Sequence, residues 1–132
     1  CIRDSGQRER VKAEREQAAA SAADRKRRAE MFRQVLALDS EDALGNFGLG
    51  ELLVEEGRHD EAVVHLQRAL RSDPRYSAAF AALGRAYEAS GHDVTAVSTY
   101  REGIKIAASK GDLSTANKMQ ERLAMLEGPD ED

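Results

Sequence analysis

Residues 43–76 of this chain reappear in outline 34 positions later, as residues 77–110, and that repetition leaves few folds open. Setting Ala43–Pro74 above Ser77–Ala108 aligns Leu49 with Leu83, Gly50 with Gly84, Gly57 with Gly91, Ala62 with Ala96 and Val63 with Val97. Leu66/Tyr100, Ala69/Gly103, Leu70/Ile104 and Arg71/Lys105 keep their size or charge class. The identical residues stand where a pair of antiparallel helices needs them. Leu49-Gly50 and Leu83-Gly84 each set a large apolar side chain beside a missing one, so a second helix can come close. Ala62 and Ala96 are the small residues facing that crossing. Gly57 and Gly91 fall in the turn, where a positive φ costs glycine nothing. Leu66 and Tyr100 fill the space between hairpins, and Pro74 stops the second helix of the first unit. The expected fold is all-α, a stack of helical hairpins.

A 34-residue period with a small-residue crossing and a terminal proline resembles the tetratricopeptide repeat, whose hairpins stack into a right-handed α-α superhelix. Leu49, Gly50, Leu53, Ala62, Leu66, Ala69 and Pro74 match that family's pattern, as do Phe80, Leu83, Gly84, Tyr87, Ala96 and Tyr100. The chain departs from it at Asn46, where the family carries a bulky aromatic, at Gly103 for Ala and at Ala108 for Pro.

The repeats, 43–76 and 77–110, sit inside a domain expected to run over 31–127. Met31–Ser40 aligns with His65–Pro74, so 31–40 reads as the second helix of an upstream hairpin, with Asp39 or Ser40 capping the helix that follows. It covers the end of the solenoid, or else marks a truncated array. After Gly111-Asp112, Leu113, Ala116, Met119, Leu123 and Leu126 recur at spacings of three and four, the mark of an amphipathic helix over 112–126. Asn117 and Lys118 stand where Leu and Gly belong, so this is a closing helix and not a third repeat. Two repeats with such a helix are similar to small bacterial repeat proteins. Gly128-Pro129 ends it, and 128–132 is expected to be a disordered acidic tail. Residues 6–30 form a charged, Ala-rich helical extension with Val11 as its one large apolar side chain before Met31. Residues 1–5, CIRDS, read as the in-frame translation of a sequencing adapter, the alternative being a natural N-terminus.

Composition narrows the function classes. A chain of 132 residues is one domain. The single Cys excludes a disulfide framework within the chain, and no run of 18 apolar residues offers a membrane span. A cytoplasmic protein is expected. Residues 7–33 hold nine Lys/Arg against five Asp/Glu, whereas 34–132 hold ten against eighteen. The acidic body argues against nucleic acid as a partner. Arg25–Arg28 is a basic cluster, but acidic neighbours and the lack of interleaved aromatics make it a solvated helix face, so nucleic-acid or membrane anchoring by this helix is the weaker reading. The seam Ala18, Ala22, Ala29, Phe32, Leu36 is too thin to set an oligomer, and a monomer is expected.

No constellation for chemistry stands out. His59 and His65 are six apart, off a common helix face, and no carboxylate or thiol cluster completes a metal set with His92. Gly45–Gly50 is glycine-rich but is followed by no Lys-Ser/Thr. No enzyme, metal or cofactor is expected.

What remains is a surface. In the family it resembles, the first helix of each hairpin lines a concave groove, which implies Leu44, Phe47, Glu51 and Val54 in one repeat and Ala78, Ala81, Arg85 and Glu88 in the next. Phe47 is not required by the repeat pattern; it is a binding anchor or is covered by the chain's own N-terminal helix. Ala78, Ala81 and Ala82 leave room for an apolar side chain, and Glu51 and Arg85 occupy equivalent places close enough to pair. Family members that hold the C-terminal carboxylate of heat-shock chaperones use Lys and Asn, where this chain has Phe47, Glu51 and Ala82; that ligand is disfavoured. The function implied is a protein-interaction module binding a peptide or partner helix in an apolar groove. The alternative is a structural piece of a longer array acting as an assembly scaffold.

Overall fold

The computed structural model describes residues 2–128, with side chains from Ser5 onward; Cys1 of the adapter-like segment and the acidic tail from Pro129 lie outside the described residues. Among the described residues six helices follow one another: α1 (Ile2–Leu38), α2 (Ala43–Glu55), α3 (His59–Ser72), α4 (Ser77–Ala89), α5 (Asp93–Ser109) and α6 (Leu113–Glu127). Consecutive helices pack on one another, and α2 touches α4 as α4 touches α6. The result is two hairpins, α2–α3 and α4–α5, stacked in a solenoid between α1 and α6.

The turn inside each hairpin is written by glycine. Gly57 and Gly91 take φ of 80° and 81°, and the residue after each donates its N–H to a carbonyl five positions back, Arg58 to Leu53 and His92 to Tyr87. This pattern satisfies the last carbonyls of the first helix with no Cβ penalty. Between hairpins, Asp73 is extended ahead of Pro74 and ends α3. The second hairpin has Ala108 in place of that proline, and α5 accordingly runs to 17 residues against 14 for α3, stopping only before Gly111 with its φ of 75°.

Two clusters make the core. Leu49, Leu52, Leu53, Ala62, Leu66, Ala82 and Leu83 form one, with Ala29 of α1 joining them. Phe80, Ala96, Tyr100, Ala107, Ala116 and Met119 form the other. Glycines decide how the large residues nest. A Cβ on Gly50 would stand 2.7 Å from Leu66, and one on Gly84 would stand 2.3 Å from the Tyr100 ring. Leu66 and Tyr100 therefore pack into the missing side chain of their own hairpin's first helix, and do not only fill the gap between hairpins. Phe32 of α1 lies on Gly48 in the same way.

Three details differ from the sequence reading. The cap of α2 is Asp42, whose carboxylate accepts from Gly45 N at 2.7 Å; Asp39 instead turns back to Glu41 N, and the Ser40 carbonyl is taken by Asn46. Asn46 is fully buried where the family has an aromatic. Its amide donates to the Ser40 and Asp42 carbonyls, and its oxygen faces Nδ1 of His65 at 2.9 Å, so that nitrogen carries the proton. Leu113 is 63% exposed, because the helix starts there, one residue past the Asp112 cap and ahead of the packed face begun by Ala116. Leu123 and Leu126 do pack on the second cluster. In α1, Ala18 and Ala22 of the thin seam are exposed while Ala29, Phe32 and Leu36 pack on the body.

Candidate functional site

The first helices of the hairpins, α2 and α4, and α6 beside them share one face of the solenoid, and among the described residues three recesses open on it: a wide one of about 470 Å³ over Val54, His59, Arg85, Glu88 and Arg122, and two narrower ones. The smaller, about 200 Å³, lies between α1 and α2 against Arg28, Met31, Phe32, Leu44 and Phe47. The larger, about 360 Å³, lies across α4 and α6, where Ala78, Ala81 and Met119 meet Arg85, Lys118 and Arg122. Glu51 borders both.

Leu44 is exposed on the first turn of α2, at the rim of the smaller recess. Phe47 is half-buried; its ring lies 4.8 Å from that of Tyr76, tilted by 33°, and one edge packs on the first core cluster. Phe47 thus props the loop before α4 and still forms a wall of the recess. Glu51 and Arg85 do meet, at 3.4 Å, across the boundary between the recesses. Burial raises the Glu51 carboxyl above its ordinary range, although Arg85 pulls the other way. Both side chains keep at least two-fifths of their exposure, so the pair adds on the order of 0–1 kcal/mol to folding. Val54 is half-buried at the far end of α2, facing Arg85 and Glu88. Ala78 and Ala81 are half-buried on the groove side of α4. Ala82 is fully buried in the first core cluster and faces away, a correction to the expectation that it would help line the groove.

Glu88 is bound on both oxygens. The Tyr100 hydroxyl donates to Oε2, and Arg122 donates to Oε1 at 2.6 Å and Oε2 at 3.2 Å. Burial raises this carboxyl, but the Arg122 and Tyr100 hydrogen bonds outweigh it and the net shift is downward. A depressed folded value stabilises the native state fully above the ordinary 4.5 and loses that contribution as pH falls through the folded value. Melts of Glu88→Gln are therefore expected to lie below wild type at neutral pH and to converge on it in acid. A constant gap across that range would show that Glu88 acts by packing alone.

The larger recess also draws on α6, which the resemblance did not include. Thr115, Lys118, Glu121 and Arg122 line it, and each stands 34 positions after a residue of α4: Ala81, Gly84, Tyr87 and Glu88. Continuing the period by one more unit finds all four. Lys118 and Glu121 have no oppositely charged side chain within 4.0 Å among the described residues, whereas Arg85 and Arg122 are engaged by Glu51 and Glu88.

Stacked hairpins of 34 residues with a lined concave face define a helical-repeat solenoid of the kind that presents a binding surface. This chain belongs to the tetratricopeptide repeat family: the family's model matches residues 53–123. The TPR repeat-containing protein PA0015 of Pseudomonas aeruginosa is 35% identical over 98 residues, covering 74% of this chain and 93% of that protein. Two solved structures share the fold at lower identity. The complex of the TPR2B domain of yeast Sti1 with pHsp70 superposes with a TM-score of 0.75 at 17% identity, over 84% of this chain and 89% of that one. PcrH in complex with the chaperone binding region of PopD gives 0.74 at 18% identity, over 81% of each chain. Among the described residues no helix is long and apolar enough to cross a membrane.

Proposed function

We propose that this protein binds a peptide or helix of a partner protein along the concave face running from Leu44, Phe47, Glu51 and Val54 to Ala78, Ala81, Arg85 and Glu88. The observation that carries the reading is the larger recess. Its floor is made of small side chains, Ala78 and Ala81, with Met119 beneath, and its rim holds Arg85, Lys118 and Arg122 beside Glu51 and Glu121. An apolar anchor fits the floor, and rim groups of both signs fix its direction. The two structures above support the reading by analogy, since one is a complex with pHsp70 and the other a complex with the chaperone binding region of PopD. A free C-terminal carboxylate remains the disfavoured ligand on the Phe47 side, where it would meet Glu51 and an apolar wall.

The test is capture of partners on immobilised protein, with identities read by mass spectrometry, for wild type, Ala81→Arg and Arg85→Glu. Ala81→Arg fills the recess from a half-exposed site, and Arg85→Glu reverses a rim charge. Each is expected to weaken the captured interaction at least tenfold, about 1.4 kcal/mol, while thermal melts stay within about 0.5 kcal/mol of wild type. Undiminished binding by both variants would refute the groove.

A further inference from the structure

The smaller recess, between α1 and α2, is apolar at one end and acidic at the other. Exposed Leu44 and Met31 and half-buried Phe47 line the apolar end, and Glu51 and Glu55 line the acidic one. A spacing of four sets Phe47, Glu51 and Glu55 along one face of α2, a turn apart. At about 200 Å³ the recess falls below the roughly 300–1,000 Å³ of pockets that take whole small molecules, and its size suits one side chain.

The chain does not balance the charge at the acidic end. Helix α2 contains no basic residue, and Glu55 stands in its last turn, where the carbonyl end of the helix already carries partial negative charge. Glu55 forms no ion pair among the described residues. The cations around it are engaged elsewhere: Arg28 with Asp24 at 3.2 Å, Arg58 with Glu56 and Glu61, and Arg85 with Glu51 at 3.4 Å. The two carboxylates also feel each other. Burial raises the Glu51 carboxyl most, Arg85 pulls it down, and the charge of Glu55 pushes it up again. A carboxylate set against its own helix dipole and a turn away from another carboxylate works against the fold. It becomes favourable when a partner brings the missing cation.

We propose that this recess takes a Lys or Arg side chain of the bound partner, its stem laid on Phe47, Leu44 and Met31 and its charged head between Glu51 and Glu55. The inference rests on the concave-face reading and adds the chemistry of one ligand residue to it. Long basic side chains suit such a site because they bury an apolar stem while the head stays at the polar end. An uncharged side chain would strip water from Glu51 and Glu55 without compensation, and an acidic one would add repulsion. The surplus of Asp/Glu in residues 34–132, eighteen against ten Lys/Arg, draws the same kind of partner towards the body.

The test selects random peptides displayed on phage against immobilised wild type, Glu55→Gln and Glu55→Lys, and measures the selected peptides on Ala81→Arg as well. Glu55 is exposed, so melts of its variants should match or exceed wild type. Peptides selected on wild type are expected to carry Lys or Arg at one fixed position and to bind Glu55→Lys about tenfold more weakly or worse. Selection on Glu55→Lys should put Asp or Glu at that position, and selection on Glu55→Gln should show neither preference. Peptides that Ala81→Arg weakens but Glu55→Lys leaves unchanged, or that carry no fixed basic position, overturn this proposal and leave the concave-face reading standing. Peptides indifferent to both variants, or a selection that enriches none, overturn the two together.

Discussion

Met119→Ala is expected to cost about 2–5 kcal/mol, and removal of residues 112–132 to cost more than the repeats can spare. Met119 is 1% exposed; its sulfur reaches into the space left by Gly103, and with Ala116 it covers Phe80, Tyr100 and Ala107. A domain of this size has roughly 5–15 kcal/mol in hand, so a single cavity here consumes a large share of it. Truncation also strips Arg122 from Glu88, leaving a carboxylate to be shared with Tyr100 alone, and takes away the Asp112 carboxylate that accepts from the Ser77 hydroxyl at 2.7 Å. Urea titration of Met119→Ala and size-exclusion chromatography of the truncated chain check the expectation. A truncated chain that stays monomeric and melts like wild type would show that α6 is an appendage.

The hairpins were legible in the sequence because each glycine identity in the 34-residue comparison marks a crossing or a turn made twice. Gly50 and Gly84 each admit a large side chain, and Gly57 and Gly91 share a φ within a degree. Asn46 was legible only as a departure. Its meaning needs His65, 19 residues on, and two loop carbonyls, which no periodicity brings together. The cap of α2 was misplaced for a related reason: Asp39, Ser40 and Asp42 are all good caps, and which of them is used depends on where Asn46 pulls the loop. Of the surface, Phe47, Glu51, Ala78, Ala81 and Arg85 were placed by the family's layout, whereas the α6 residues were missed because Asn117 and Lys118 broke the repeat. Those substitutions remove the packing of a further helix without moving the register, and so the groove continues past the point where the hairpins stop.

Gly84→Ala tests the tightest of these contacts. The added Cβ would lie 2.3 Å from Cε1 of Tyr100, far inside any observed carbon contact, so either the ring or the helix must move. The ring has little room: Tyr100 is 1% exposed, and its hydroxyl is held by Glu88, which Arg122 holds in turn. Overpacking of this kind costs about 1–3 kcal/mol, and the tether puts Gly84 at the upper end. Gly50→Ala should cost less, since Cδ2 and Cγ of Leu66, each at 2.7 Å, belong to a smaller and more flexible side chain than the tethered Tyr100 ring. At Gly57 nothing stands within 4 Å, so alanine there suffers only from the φ of 80°, roughly 1–2 kcal/mol. Combining Gly84→Ala with Tyr100→Leu should recover part of the loss, because the shorter side chain vacates the contested volume. The two single losses would then sum to more than the double variant shows. Midpoints of urea unfolding for the five variants, Tyr100→Leu alone included, decide it: a Gly84→Ala protein as stable as wild type, or a double variant no better than the sum, would mean that the first and second helices are not held together at this crossing.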